Sequence, residues 1–163
     1  MTSTTPMSST FAVSSIRPAT TTTLSRHRSQ TRLAQDIPGD RPVLAIGEGL
    51  TMYLTKEDGV ALLRSIVDHF PSGELQFDAF NRLGIKSQWT NTVVRRSGAT
   101  LHWGIDGPDD ITEAVPGVRR LAWVSPSDDE AFANVPWYYR LTLKAIRPVP
   151  VLRYMAQYHR YVF

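Results

Sequence analysis

The feature that most constrains the fold is a strand–helix–strand pattern between residues 43 and 79. The apolar run 43–46 is typical of a parallel strand that is buried on both faces. After the loop Gly47-Glu48-Gly49, Thr55 is a predicted N-cap, and apolar residues recur at helical spacing up to Phe70. The segment 75–79 then alternates between apolar and polar residues, as strands do. The pattern predicts a βαβ unit with a right-handed crossover, and therefore an α/β fold.

The patterns beyond Phe80 are weaker, and no internal repeat is found. We predict an irregular helix over 81–97, an extended piece over 100–105, a short helix over 109–115, a strand over 118–124, helices over 128–133, 137–146 and 152–157, and a final strand over 158–163.

Residues 1–40 differ in composition from the rest. Sixteen of these forty residues are Ser or Thr, and the first acidic residue is Asp36. Too few apolar side chains are present to offset the entropy of ordering, so we predict a disordered tail over 1–40 and a folded portion over 41–163. The same composition matches a mitochondrial or chloroplast transit peptide. We favour the plain tail and a cytoplasmic protein, because no amphipathic Arg-bearing helix stands out before Ser25.

Composition excludes several classes of site. The 163 residues include no cysteine, which rules out disulfides, thiolate metal sites and a cysteine nucleophile. No apolar run approaches the roughly 18 residues of a membrane span, so we expect no membrane partner. The four histidines are scattered, and H-E-x-x-H, G-x-S-x-G and Walker patterns are all missing, so we predict no metal site and assign no catalytic residue.

The C-terminal third is basic and aromatic. No acidic residue follows Glu130, while five Arg and Lys residues interleave with Trp and Tyr. Such a pattern can bind nucleic acid by stacking and phosphate contact. A net charge of +3 is mild for that role. We therefore expect no nucleic acid, and interpret the region as a helical substrate lid with aromatics in the core and solvated arginines.

The loop Gly47-Glu48-Gly49 is the clearest candidate for a binding site. It follows a buried strand and precedes a helix, where α/β folds bind nucleotide-like ligands. It resembles the first half of a dinucleotide or S-adenosylmethionine loop, in which Asp78 would bind ribose hydroxyls. The fit is poor, because Met52 stands where the dinucleotide fingerprint has its third glycine and Asp78 follows about 30 rather than about 20 residues on.

A longer resemblance fixes the assignment. The stretch AIGEGLTMYLTKEDGVALLRSIVDHFPSGELQFDAF, followed by GATLHWGID, VPGVRRLAWVS, PWYYRL and HRYVF, resembles the second half of the leucine carboxyl methyltransferase family. It is closest to the bacterial branch of tetracenomycin-type polyketide O-methyltransferases. The resemblance covers about residues 41–163.

The resemblance implies part of a class I, Rossmann-like methyltransferase fold of seven strands. It places 43–46 on the fourth strand, 75–78 on the fifth, and 118–124 and 158–163 on the last two. The family's N-terminal half, which carries the glycine-rich cofactor loop, has no counterpart in 1–40. The resemblance implies S-adenosylmethionine as cofactor and methyl transfer to a hydroxyl or carboxylate of a small, polyketide-like molecule. We expect such a truncated chain to be weakly active or inactive alone.

The resemblance also implies the site residues. Gly47, Glu48, Gly49 and Tyr53 would bind the cofactor, with Glu48 beside its methionine end. On the substrate side the candidates are Asp78, His102 and Trp103. Structural roles are open for three of these residues: Tyr53 as a packing residue, Asp78 as a cap, and His102 as a surface residue.

The missing half has a physical consequence. In the family fold the fourth strand lies next to the first, so 43–46 would present an unpaired apolar edge here. We therefore predict marginal stability and self-association through residues 43–46. The alternative function, from a different class, is a non-catalytic half-domain that serves as a binding or assembly partner.

Overall fold

The computed structural model describes residues 10–15, 37–128 and 136–163. Its strands and helices, in chain order, are β1 Thr10–Ser15, β2 Val43–Glu48, α1 Lys56–His69, β3 Gly73–Phe80, α2 Arg82–Lys86, α3 Thr92–Ser97, α4 Asp109–Ala114, β4 Arg119–Val124, α5 Trp137–Ile146, α6 Pro150–Arg153 and β5 Ala156–Val162. The mixture of strands and helices confirms the predicted α/β class.

The strands form one sheet in the order β1-β2-β3-β5-β4. Strands β2 and β3 are parallel neighbours, as the predicted βαβ unit requires. Strand β5 is inserted between β3 and β4 and runs antiparallel to both. Strand β4 therefore runs in the same direction as β2 and β3.

Helix α1 connects the two parallel strands and begins where the sequence predicts. Thr55 is the N-cap, and its hydroxyl oxygen accepts the backbone N–H of Asp58 at 3.1 Å. Glu57 and Asp58 lie in the first turn, where carboxylates are favourable for the helix dipole. The helix buries one stripe, which includes Leu62, Leu63 and Ile66, against the sheet.

Strand β1 contradicts the predicted disorder for six residues. Thr10–Ser15 pairs antiparallel with Val43–Glu48, so the prediction of a wholly disordered segment over 1–40 is wrong for these residues. Backbone pairing satisfies the hydrogen-bonding groups of β2 on that side. The segment 43–46 is therefore not an exposed edge, and the predicted self-association loses its premise. The remaining residues up to 36 lie outside the described part.

Several weaker predictions need correction. The irregular helix over 81–97 is two short helices, α2 and α3, with a 3-10 turn between them. The segment 100–105 is a loop. The last helical piece is α6, and β5 already begins at Ala156, because the strand pairs with β3 along its whole length. The helix predicted over 128–133 falls mostly on residues outside the described part.

One main core lies on one face of the sheet. It is formed by residues of β2, β3 and β5, by α1, by α4 and by the loops around Ile105 and Val118. A second, smaller cluster of Met52, Val94 and Leu101 lies apart from it. Across the described residues, no helix combines the length and the apolar composition needed to cross a bilayer.

Candidate functional site at the carboxyl ends of β2 and β3

Three connections meet at one edge of the sheet. Because β2, β3 and β4 run in the same direction, their carboxyl ends share an edge with the amino end of antiparallel β5. The loop after β2, the segment after β3 and the β4–β5 connection all leave the sheet there. In α/β sheets this is the edge where ligands bind.

Glu48 is the last residue of β2. The parallel register ends at the pair Gly47 and Phe77, so Glu48 and Asp78 follow side by side on adjacent strands. Glu48 is exposed, whereas Gly47 is buried. The structure thus presents a solvent-accessible carboxylate at the edge where the sequence analysis expects the methionine end of a cofactor.

Gly49 makes the turn that follows Glu48. Its φ of 59° lies in the left-handed region, which glycine adopts without steric cost. A Cβ at this position would meet no atom within 4 Å. Glycine is therefore favoured here because of the left-handed backbone conformation and not because a side chain would clash. The space beside Gly49 is open to a ligand.

Asp78 is bonded to the loop after β2 through two atoms. Its Oδ1 accepts the backbone N–H of Gly49 at 2.8 Å, and its backbone carbonyl accepts the Thr51 hydroxyl at 2.5 Å. Burial raises the pKa of the Asp78 carboxyl, the Gly49 N–H partly lowers it, and the nearby charge of Glu48 raises it further. The hydrogen bond to Gly49 connects Asp78 to the turn directly after Glu48. The resemblance instead implied a place for Asp78 on the substrate side.

Tyr53 lies in the 3-10 turn Thr51–Tyr53, which directly follows this loop. Its ring is partly buried against the second apolar cluster, around Met52. This packing agrees with the structural alternative that the sequence left open. Thr51 of the same turn is hydrogen-bonded to the Asp78 carbonyl, which connects the turn that carries Tyr53 to the end of β3.

His102 and Trp103 occupy different environments although they are adjacent. The backbone N–H of His102 donates to the carbonyl of Met52 at 2.8 Å, and its side chain is exposed. Trp103 is only 4% exposed and belongs to the main core. Its ring packs directly on Gly59 of α1. The structure gives Trp103 a packing role, while His102 remains accessible.

Sequence reasoning missed two polar residues at this edge. Thr51 is buried and donates its hydroxyl to Asp78, a contact that no local pattern reveals. Asn81 follows β3; it caps α2 through Gly84 and donates Nδ2–H to the carbonyl of Val151 at 2.7 Å. Asn81 thereby anchors the β4–β5 connection beside the site. Its only sequence signal is the position directly after a strand.

The β4–β5 connection does not have the expected core. Trp137, Tyr138 and Tyr139 of α5 are 75%, 58% and 56% exposed, so the interpretation that these aromatics are core residues is wrong. The end of the connection is fixed instead by charge: Arg153 pairs with Asp128 at 2.8 Å.

Among the described residues, no group of three or more His, Asp or Glu side chains could hold a metal ion.

Comparison with known proteins gives two relatives. The chain is 33% identical over 127 residues to the tetracenomycin polyketide synthesis O-methyltransferase TcmP of Streptomyces glaucescens. The matched segment covers 78% of this chain and 47% of that protein. It is 38% identical over 90 residues to the S-adenosyl-L-methionine-dependent methyltransferase dpfgK of Gibberella zeae. That match covers 52% of this chain and 30% of the Gibberella protein. No family model matches the chain.

These matches confirm the predicted relationship. The chain is related over most of its own length to a polyketide O-methyltransferase and over about half to a second methyltransferase. It spans about half the length of the Streptomyces relative and less than a third of the Gibberella one. The relationship is therefore to a part of each of these enzymes.

Proposed function

We propose that this chain is the C-terminal portion of an S-adenosylmethionine-dependent O-methyltransferase, with the methionine end of the cofactor held at Glu48. The observation that carries the proposal is the exposed Glu48 carboxylate at the carboxyl edge of the parallel pair β2 and β3. Both relatives bear the name of methyltransferases, which supports the same activity here.

We further propose that β2, β3, β4 and β5 are the fourth, fifth and last two strands of a class I methyltransferase sheet. Residues 41–163 would then form the methyltransferase portion. The parallel pair β2 and β3 supports this assignment, as does the antiparallel insertion of the last strand in the chain. Strand β1 would occupy the side of β2 where the family's first strand lies.

The residues at this edge suit the cationic end of such a cofactor. A carboxylate attracts an ammonium or sulfonium group, and the left-handed turn at Gly49 leaves open space beside the backbone. Gly47 and Gly49 would frame the group that Glu48 binds, and Tyr53 would lie beside it. When bound, S-adenosylmethionine would supply its sulfonium methyl group: an O–C bond to the acceptor would form in line as the C–S bond breaks and the thioether leaves.

The chain's own contribution to this reaction is positioning. Holding the donor and acceptor in a near-attack geometry is the main source of rate for an in-line displacement. A carboxylate acceptor needs no general base, whereas a hydroxyl acceptor does. We propose a hydroxyl or carboxylate of a small, polyketide-like molecule as acceptor, on the strength of the name of the Streptomyces relative. The exposed His102 is the remaining candidate on the acceptor side.

Calorimetric titration of the full chain with S-adenosylmethionine tests the proposal. We expect binding that weakens by about tenfold or more in Glu48→Ala, because a hydrogen bond to a charged group contributes roughly 1.5–3 kcal/mol. The matched control is Glu113→Ala, which removes an exposed carboxylate of α4 and should leave the affinity unchanged.

Two results would count against the proposal. Equal affinity of the wild type and Glu48→Ala would remove Glu48 from the site. Lack of binding at millimolar cofactor would favour the alternative function, a non-catalytic half-domain that serves as a binding or assembly partner.

A further inference from the structure

The end of β2 and the turn after it, which carry Glu48, have regular strand pairing on the β1 side only. They contain Gly47 and Gly49, and glycine loses more conformational freedom on ordering than any other residue. Glu48 pairs with Thr10 of β1, but on the side of β3 the register ends at Gly47 and Phe77. On the β3 side, the position of the turn after Glu48 therefore depends on hydrogen bonds outside the regular strand pairing.

Asp78 supplies that anchor from the neighbouring strand. Its carboxylate takes the N–H of Gly49, immediately after Glu48, at 2.8 Å. Its carbonyl takes the hydroxyl of Thr51, two residues further on, at 2.5 Å. These two bonds extend the β2–β3 pairing into the loop, with one side-chain acceptor and one backbone acceptor.

We propose that Asp78 is a positioning residue, which fixes the loop 47–51 so that the Glu48 carboxylate faces the ligand, and that its own charge does not contact the ligand. This inference rests on the proposed function for the role of Glu48. The bonds themselves do not depend on it. Asp78 is half-buried beside Glu48, and two neighbouring carboxylates repel each other. The hydrogen bond from the Gly49 N–H to Asp78 partly offsets this repulsion.

Two substitutions separate positioning from a charge contact. Asp78→Asn keeps an oxygen that can accept the Gly49 N–H but has no charge. Asp78→Ala removes both the acceptor and the charge. If Asp78 acts only by positioning, asparagine rescues the site. If its charge binds the ligand, both variants lose affinity alike.

The first measurement is hydrogen exchange of the Gly49 amide by NMR in the full chain. We expect about tenfold faster exchange in Asp78→Ala, from loss of a charge-assisted hydrogen bond, and a change of at most about threefold in Asp78→Asn. The Leu75 amide in the middle of β3 serves as an internal reference for global unfolding. This readout needs no cofactor, so it tests the anchor even if the proposed function fails.

The second measurement is the affinity for S-adenosylmethionine by calorimetry. We expect about tenfold weaker binding in Asp78→Ala and less than about threefold in Asp78→Asn. The matched control is Asp106→Ala, because Asp106 likewise accepts a backbone N–H, that of Arg82, at 2.9 Å. This control should speed exchange at Arg82 alone and leave the affinity unchanged.

Three results would overturn the inference. Unchanged exchange at Gly49 in Asp78→Ala would show that the carboxylate does not anchor the loop. Equal loss of affinity in the two Asp78 variants would assign the charge to the ligand. Faster exchange at Gly49 with unchanged affinity would show that the anchor does not serve binding. Lack of cofactor binding by the wild type would instead defeat the proposed function, with the exchange result standing by itself.

Discussion

The two faces of the sheet differ in what covers them. On one face Leu75, Phe77 and Tyr161 are at most 5% exposed, because α1, α4 and the loops around Ile105 pack over them. On the other face Ile46, Val124 and Tyr158 are 37%, 38% and 47% exposed. Neighbouring residues of one strand point to opposite faces, so the same strands contribute to both environments.

The difference shows which part of the described chain holds the fold together. The covered face contains one continuous apolar core, together with the polar side chains Gln157 and His159 of β5. The open face has the ion pair of Arg160 with Glu74, in which Arg160 lowers the pKa of the Glu74 carboxyl. Exposed pairs of this kind contribute little to stability. The stability of the sheet therefore resides mainly on the covered face.

The largest expected effect compares one leucine from each face. Leu75→Ala removes a side chain that is 1% exposed and should lower the free energy of unfolding by about 2–5 kcal/mol, through lost burial and a residual cavity. Leu44→Ala, on the open face of the adjacent strand, should cost about 1 kcal/mol, because its side chain is only partly buried. Urea unfolding of both variants measures the difference. Equal losses would show that both faces are packed alike.

The next effect concerns the buried histidine of the covered face. His159 is 2% exposed, stacks on Phe77, and shares a hydrogen bond of 2.9 Å between its Nδ1 and the Tyr161 hydroxyl. Its Nε2 has no partner among the described residues. Burial lowers the pKa of His159 from 6.5 to about 4. The imidazole is therefore neutral in the folded protein near pH 7.

This pKa shift gives a signed pH dependence. Between pH 6.5 and about 4 the unfolded chain binds a proton that the folded chain does not, so stability falls as the pH falls through that window. The shift corresponds to a loss of about 3 kcal/mol. His159→Phe keeps an aromatic ring for the stack and removes the titration, so its unfolding free energy should vary less over the same window. Parallel acid dependence in the two proteins would exclude His159 as the cause.

A smaller effect tests the fit of α1 against the covered face. A Cβ on Gly59 would lie 2.0 Å from the Trp103 ring, so Gly59→Ala must displace the indole. We expect a loss of about 1–2 kcal/mol, since overpacking exceeds the gain in helix propensity. Gly107→Ala is the matched control, because a Cβ there meets nothing within 4 Å. Thermal unfolding of both variants checks this. Similar melting temperatures would mean that Trp103 moves freely.

Local sequence patterns were sufficient for the central βαβ unit. The apolar run at 43–46, the Thr55 cap and the alternation at 75–79 each depend on neighbouring residues alone, and each is where the sequence predicts it. Strand β1 could not be found in this way, because its stability comes from pairing with residues 28 to 38 positions away. The one local signal, a short apolar run at Phe11, is too small to indicate burial.

The candidate site was predictable to a similar degree. Glu48 could be placed at the carboxyl edge because it directly follows a predicted strand. The partners of Asp78 depend on how the loop after β2 folds back, which spacing does not encode. The resemblance implied that Trp103 lies on the substrate side, whereas its position in the core depends on the contact with distant Gly59. The contacts that single residues make with distant parts of the chain were therefore the least predictable.

The most direct test of the account is a map of cofactor binding on the folded chain. We propose adding S-adenosylmethionine to the isotopically labelled full chain and following every backbone amide by NMR. The account predicts that the largest shift changes fall on Gly47, Glu48, Gly49 and Asp78, with little change at His69, at the far end of α1. Largest changes at α5, with the amides of 47–49 unmoved, would contradict a cofactor site at the carboxyl ends of β2 and β3.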